Sequence, residues 1–142
     1  MPLVTVTLRE GKSPEYLKKV GDAIHAALVE KAPIPVGDRF QIFHEVPPAH
    51  LDVDPAFAGS NPVERSHDVL IIQITLNAGR TDITKSAIYA EIVARLHNDA
   101  GVRPDDVFIS LIEVMKQNWS MASGVMTYPD LASPAVVAET GS

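Results

Sequence analysis

The feature that most limits how this chain can fold is a repeat: displaced by 68 positions, the sequence matches itself without a gap. Thr7-Leu8 falls on Thr75-Leu76, Gly11 on Gly79 and Ser13 on Thr81. Ile24, Ala26 and Leu28 fall on Ile92, Ala94 and Leu96, while Asp38, Phe40, Glu45 and Val46 fall on Asp106, Phe108, Glu113 and Val114. Chance supplies isolated matches of this kind, but not the same succession of elements at one constant offset. Each copy reads as a β-α-β unit, the first over about residues 2–46 and the second over about 69–114.

The first unit shows why. Val4, Val6 and Leu8 alternate with Thr5 and Thr7, the pattern of a half-buried strand. Gly11 breaks that run, Ser13 can cap a helix, and Pro14 suits its first turn, where a missing N–H costs nothing. Leu17, Val20, Ile24 and Leu28 form a helical stripe that should end before "PIPVG", with the second strand over Arg39–Val46. The second unit repeats the scheme with a strand over Val69–Leu76, a cap at Thr81, a stripe of Ile88, Ile92 and Leu96, and a strand over Val107–Val114. A Pro-, Gly-, Asp- and Ser-rich connection, about 47–68, joins the units. An extension over 115–142 begins with a possible short hairpin in "MKQNWSMASGVMTYPD" and ends in a small-residue tail expected to be loose.

Crossovers of this kind are right-handed and make their two strands parallel neighbours. The expected fold is therefore α+β: one domain over 1–142, with a four-stranded mixed sheet and both helices on one face. Phe108, Ile109, Leu111 and Ile112 put apolar residues on both faces of the last strand. The face without helices would then expose too large an apolar patch for a monomer, so oligomerisation is expected.

Composition removes several classes of function. With 142 residues, 46% of them hydrophobic, the chain can bury roughly two-thirds of its unfolded surface. A net charge of −6 and the lack of any Lys/Arg run argue against nucleic acid or a membrane surface as partner. There is no cysteine, which excludes disulfides and thiolate chemistry. His25, His44, His50, His67 and His97 are scattered without metal-ligand spacing, so no metal is expected. No Gly-rich phosphate loop points to a nucleotide cofactor, and no G-x-S-x-G to a serine hydrolase. Nothing reads as a leader or a membrane span, and a cytoplasmic location is the default.

The same topology brings chemistry to one edge of the sheet. Pro2 starts the first strand and Asp38 immediately precedes the second, so in a parallel pair the two are neighbours. A pseudo-two-fold between the units would make the third strand antiparallel to the first. Its end, at Gly79-Arg80, would then return to that edge. The counterpart of Pro2 is Leu70, inside the chain and without a free amine, so only one unit can carry amine chemistry. Lys12 is the counterpart of Arg80 at the opposite edge.

With these elements in place, the stretches "PLVTVTL", "GDRFQI", "NAGRTDITK" and "NWS" resemble the tautomerase superfamily over about residues 2–128. Within it, the chain is most similar to the malonate semialdehyde decarboxylase-like group. The resemblance implies removal of Met1, a catalytic N-terminal Pro2, a homotrimer and no cofactor. It makes Asp38 the acidic partner of the amine, Arg80 the holder of a substrate carboxylate, and Trp119 an aromatic wall of the pocket. Two departures stand out. Ala78 stands where some decarboxylase-like relatives carry a second arginine, and Met121 where an aromatic often follows "WS".

A chain-terminal amine titrates near ~8 in a model peptide. Burial favours the neutral base and an adjacent carboxylate favours the cation. A neutral Pro2 would abstract a proton beside a carbonyl, giving keto–enol tautomerisation of an acid such as phenylenolpyruvate. A cationic Pro2 beside Asp38 would instead polarise a carbonyl, or form an iminium after losing its proton. Either species accepts electrons as a 3-oxo acid such as malonate semialdehyde loses CO₂. The acidic partner favours decarboxylation. A dehalogenase-like hydratase and a non-catalytic trimeric binding protein are the alternatives. For the other polar residues simpler roles are expected: a turn cap for Asp106 and a surface ion pair for Arg39.

Overall fold

The expected repeat is visible in the element boundaries of the computed structural model, which describes residues 1–131. Strand β1 (Pro2–Arg9) and strand β3 (Leu70–Asn77) start and end 68 positions apart. Helix α1 (Pro14–Lys31) and helix α2 (Asp82–Ala100) start at the same spacing, and strands β2 (Gln41–Val46) and β4 (Val107–Val114) end at it. Each helix begins where its cap residue allows. Ser13 Oγ accepts the Tyr16 N–H at 3.1 Å, and Thr81 Oγ1 accepts that of Thr84 at 3.3 Å, satisfying backbone donors that have no partner inside a helix.

The four strands form one sheet in the order β2-β1-β3-β4. Strand β1 runs parallel to β2 and antiparallel to β3, and β3 runs parallel to β4. Val4, Val6 and Leu8 of β1 and Leu70, Ile72, Ile74 and Leu76 of β3 point to one face and are buried there. Onto that face pack Val20, Ile24 and Leu28 of α1 with Ile88, Ile92 and Leu96 of α2. Each such aliphatic side chain removed from water is worth roughly 1.5–3 kcal/mol, so this layer is the main stabiliser of the fold. Arg95 of α2 donates to Glu30 of α1 at 2.7 Å and ties the outer sides of the helices together.

The other face of the sheet carries no helix. Ile42, Phe108 and Ile112 remain 44, 44 and 43% exposed on it, with Ile71 and Leu3 half-buried between them. No helix among the described residues is long and apolar enough to cross a membrane.

Some boundaries move. Strand β2 starts at Gln41 rather than Arg39, because Arg39 closes a turn by donating its N–H to the Gly37 carbonyl at 3.0 Å. Its guanidinium goes to Asp22 at 2.8 Å, the surface pair expected of it. Strand β3 is displaced by one residue, from Val69–Leu76 to Leu70–Asn77. In place of a full hairpin after β4 there is a 3₁₀ turn at Lys116–Asn118 and then a tight turn closed by a single Ala122–Val125 bridge. The tail expected to be loose, residues 132–142, lies outside the described residues.

The long connection is stitched to the domain rather than looped away from it. Arg9 donates to the carbonyls of Pro48 (3.2 Å), His67 (3.0 Å) and Leu51 (2.5 Å). Asp106, 1% exposed, accepts from the Ser66 N–H at 2.7 Å and the Ser66 hydroxyl at 2.6 Å. Asp106 is therefore more than a turn cap: it clamps the connection just ahead of β3.

Candidate active site

Register places the candidate residues. Val4 of β1 lies beside Gln41 of β2, and the Val4 N–H donates to the Phe40 carbonyl at 2.9 Å. Two residues back along each strand brings the start of β1 to the turn that holds Asp38. On the other side Pro2 pairs with Leu76, so the Asn77–Arg80 segment leaves β3 at the same edge.

Asp38 sits in a turn whose own N–H donates to the Pro35 carbonyl at 3.0 Å. The residue is 9% exposed, unusual for a carboxylate. Its Oδ2 lies 3.4 Å from the amino group of Met1. Its Oδ1 is buried and accepts no hydrogen bond among the described residues. An acceptor left in that state costs about 1–3 kcal/mol, which a bound donor would offset. Pro2 itself is buried as the first residue of β1, its nitrogen linked to Met1.

Arg80 approaches from β3. Its guanidinium donates to the Ala32 carbonyl at 2.9 Å, at the end of α1, and to the Asn77 carbonyl at 3.1 Å. Among the described residues three of its five N–H donors are left over, enough for a two-oxygen contact with a carboxylate. The bend that folds Arg80 back on the strand runs through Gly79, whose φ of +125° is open to glycine and closed to most side chains. Glu113 of β4 supports the bend, with Oε2 3.4 Å from the Gly79 N–H and Oε1 2.5 Å from Lys85 Nζ. The Lys85 hydrogen bond, aided by the Gly79 N–H and the nearby charges of Lys85 and Arg80, holds the Glu113 carboxyl below the ordinary glutamate range.

Trp119 follows the 3₁₀ turn after β4. Its indole N–H donates to Asn77 Oδ1 at 2.7 Å. With Met1, Leu3, Phe40, Ser120 and Met121 it lines a cavity of about 150 Å³. Met1, Asp38 and Trp119 thus gather at the start of β1, and Arg80 joins them through Asn77 rather than by lining that cavity. Sequence reasoning missed Asn77, Leu3 and Phe40. A polar side chain ending an apolar strand was the available signal for Asn77. Leu3 and Phe40 fall on the helix-free face by strand alternation, which the pattern could have shown.

Fold and site together define a small α+β protein whose buried acid faces the start of its first strand, at the sheet edge where its third strand ends three residues before an arginine. The Tautomerase enzyme family models match this chain over residues 38–122 and 2–57. A probable tautomerase of Bacillus subtilis strain 168, YusQ, is 35% identical over 124 residues, spanning 87% of this chain and 95% of the relative. The chain belongs to the tautomerase family. Among solved structures, FG41 malonate semialdehyde decarboxylase inhibited by 3-bromopropiolate is 36% identical with a TM-score of 0.81, covering 96% of each chain. A malonate semialdehyde decarboxylase studied for its decarboxylase and hydratase activities is 27% identical with a TM-score of 0.80, covering 87% of this chain and 93% of that one.

Proposed function

We propose that this tautomerase-family enzyme works as a cofactor-free decarboxylase of small 3-oxo acids, with the ring nitrogen of Pro2 as catalytic group once Met1 has been removed. The observation that carries this reading is the buried Asp38, with one oxygen 3.4 Å from the chain's amino group and the other accepting no hydrogen bond among the described residues. Loss of Met1 moves the free amine one residue along the same strand, next to the same carboxylate. Asp38 then keeps that amine cationic, so it serves as a hydrogen-bond donor to the substrate's carbonyl oxygen.

Arg80 holds the substrate carboxylate and Trp119 walls the apolar side. In malonate semialdehyde the bond between the carboxylate carbon and the methylene breaks, and its electron pair moves into the carbonyl to give an enolate. The enolate oxygen is stabilised by the Pro2 ammonium. That carbon then takes up a proton from water, which replaces the lost carboxylate, and acetaldehyde and CO₂ leave. The likeness to two malonate semialdehyde decarboxylases supports this substrate class. The probable tautomerases among the relatives support a second reading, proton transfer on 2-oxo/enol acids such as phenylenolpyruvate by a neutral Pro2. The helix-free sheet face supports assembly as a homotrimer.

The test starts with mass spectrometry, which should show a chain lighter by one methionine. That protein is then assayed with malonate semialdehyde and with phenylenolpyruvate. Pro2→Ala, processed in the same way, should lose about two to four orders of magnitude in kcat while keeping its fold, the range for removing a positioned acid–base group. Full turnover by a chain that retains Met1 overturns the proposal.

A further inference from the structure

We infer that Asn77 is a positioning residue, one that sets Arg80 and the indole of Trp119 in a fixed relation to each other. It is the last residue of β3, paired with Val114 on the helix-free face. The residue after it, Ala78, still donates its N–H to the Val114 carbonyl at 2.9 Å, so β4 holds the backbone at and just beyond Asn77. From this anchored point Asn77 makes two contacts of different kinds. Its main-chain carbonyl accepts from Arg80 Nη1 at 3.1 Å, and its side-chain carbonyl accepts from Trp119 Nε1 at 2.7 Å.

These contacts join elements that are remote in sequence. Arg80 lies three residues on from Asn77 and Trp119 forty-two. Trp119 sits in a segment of turns and one isolated bridge, where no strand ladder fixes its angle. An indole N–H can only donate, so a single well-placed acceptor decides which way the ring plane stands. That plane forms one wall of the cavity shared with Met1, Leu3 and Phe40. The same residue whose carbonyl accepts from Arg80 thus determines how far the aromatic wall stands from the start of β1. Arginine and wall would contact opposite parts of one small substrate, so fixing their separation selects substrate length.

This inference rests on the proposed function for its kinetic arm but not for its structural one. The chain has one tryptophan, so ¹⁵N-labelled protein gives a single indole N–H resonance. In the processed wild type that proton should be protected from exchange with solvent. Asn77→Leu removes the acceptor at similar size and should abolish the protection, while Asn77→Asp keeps an acceptor and should restore it. In steady-state assays Asn77→Leu and Trp119→Phe, which also lacks the N–H, should each raise KM about five- to tenfold, the range for one lost hydrogen bond. The double variant should be no worse than the more affected single, because both remove the same bond.

Retained protection in Asn77→Leu overturns the inference, and so do KM effects that multiply in the double variant. If the wild type turns over no oxo acid, the proposed function fails. The exchange comparison then still decides whether Asn77 holds Trp119.

Discussion

Gly11 and Gly79 offer a controlled experiment that the repeat itself provides. They occupy equivalent positions 68 residues apart, with φ of +116° and +125°. A Cβ added at either meets no atom within 4 Å. Substitution by alanine therefore creates no clash, and its cost is that of holding an L-residue in a region it avoids, about 1–3 kcal/mol. Restricting the unfolded chain returns about 0.4–1 kcal/mol, leaving a net loss on the order of 1–2 kcal/mol at each site. For a chain of this size that lowers Tm by roughly 2–4 °C per kcal/mol.

Stability should fall similarly in both variants, and function should not. Ala at 79 relaxes toward negative φ and turns Arg80 away from the Ala32 and Asn77 carbonyls. KM for the oxo-acid substrate should then rise roughly tenfold or more, toward the value for Arg80→Ala, as expected when a charged hydrogen bond is lost. Ala at 11 disturbs Lys12, which pairs with Asp68 at 3.0 Å at the opposite edge, and should leave KM within about twofold. The assays are urea unfolding at one fixed protomer concentration, which matters for the proposed trimer, and steady-state kinetics. Equal KM changes in both variants would refute the assignment of Arg80 to the substrate, and an unchanged stability of Gly79→Ala would refute the strain argument.

Acid should loosen the same bend. The depressed Glu113 carboxyl contributes to the native state above its unfolded value of 4.5, and that contribution is lost as pH falls through its lower folded value. Lys85, raised above 10.5 chiefly by its hydrogen bond to Glu113, contributes up to alkaline pH, so the window of support is wide and its acid edge is set by Glu113. KM should climb below about pH 4.5 in the wild type and be already raised and flat in Glu113→Gln, measured across that range at constant ionic strength. On the helix-free face, Ile112→Glu places a charge on the same side of the sheet as Ile42, Phe108 and Ile71 and should convert the proposed trimer to monomers in sedimentation while helical circular dichroism persists. A wild type that is monomeric at micromolar concentration would remove the reason for that face.

The legible part of this protein was the part set by periodicity. Alternation in Val4, Val6 and Leu8, the stripe of Ile88, Ile92 and Leu96, and the caps Ser13 and Thr81 each depend on near neighbours in the chain, and each appears where the pattern put it. Parallel pairing within each unit followed from crossover handedness, and the opposite run of β3 from a pseudo-two-fold between the repeats, while the order β2-β1-β3-β4 came only with the structure. The edge that collects Pro2, Asp38 and Arg80 was legible for the same reason, since it needs only topology. What stayed hidden depends on side-chain reach between distant segments. Nothing local says that Trp119 would find Asn77, or that Arg9 would spend three donors on carbonyls of the connection. The start of β2 was misplaced because Arg39 prefers a turn closed through Gly37 and a pair with Asp22.

Asp38 and Asp106 show how a duplicated scaffold comes to carry one candidate site. Both are buried carboxylates placed just ahead of the second strand of their unit, facing the start of the first. At Asp106 the chain continues backward from β3 and delivers Ser66, whose N–H and hydroxyl satisfy the two oxygens, with Arg103 3.6 Å away. That carboxylate is spent on holding the fold. At Asp38 the equivalent backbone is the chain's own amino end. The carboxylate meets an amine at 3.4 Å through one oxygen and keeps the other without a donor among the described residues. A buried acceptor of this kind is tolerated where it serves a ligand or a reacting group. The difference between a clamp and a candidate catalytic acid is therefore not in the aspartate or its turn, which the repeat copies. It lies in what precedes the neighbouring strand: a peptide with fixed donors in one unit, and in the other Met1, whose proposed removal would leave a secondary amine.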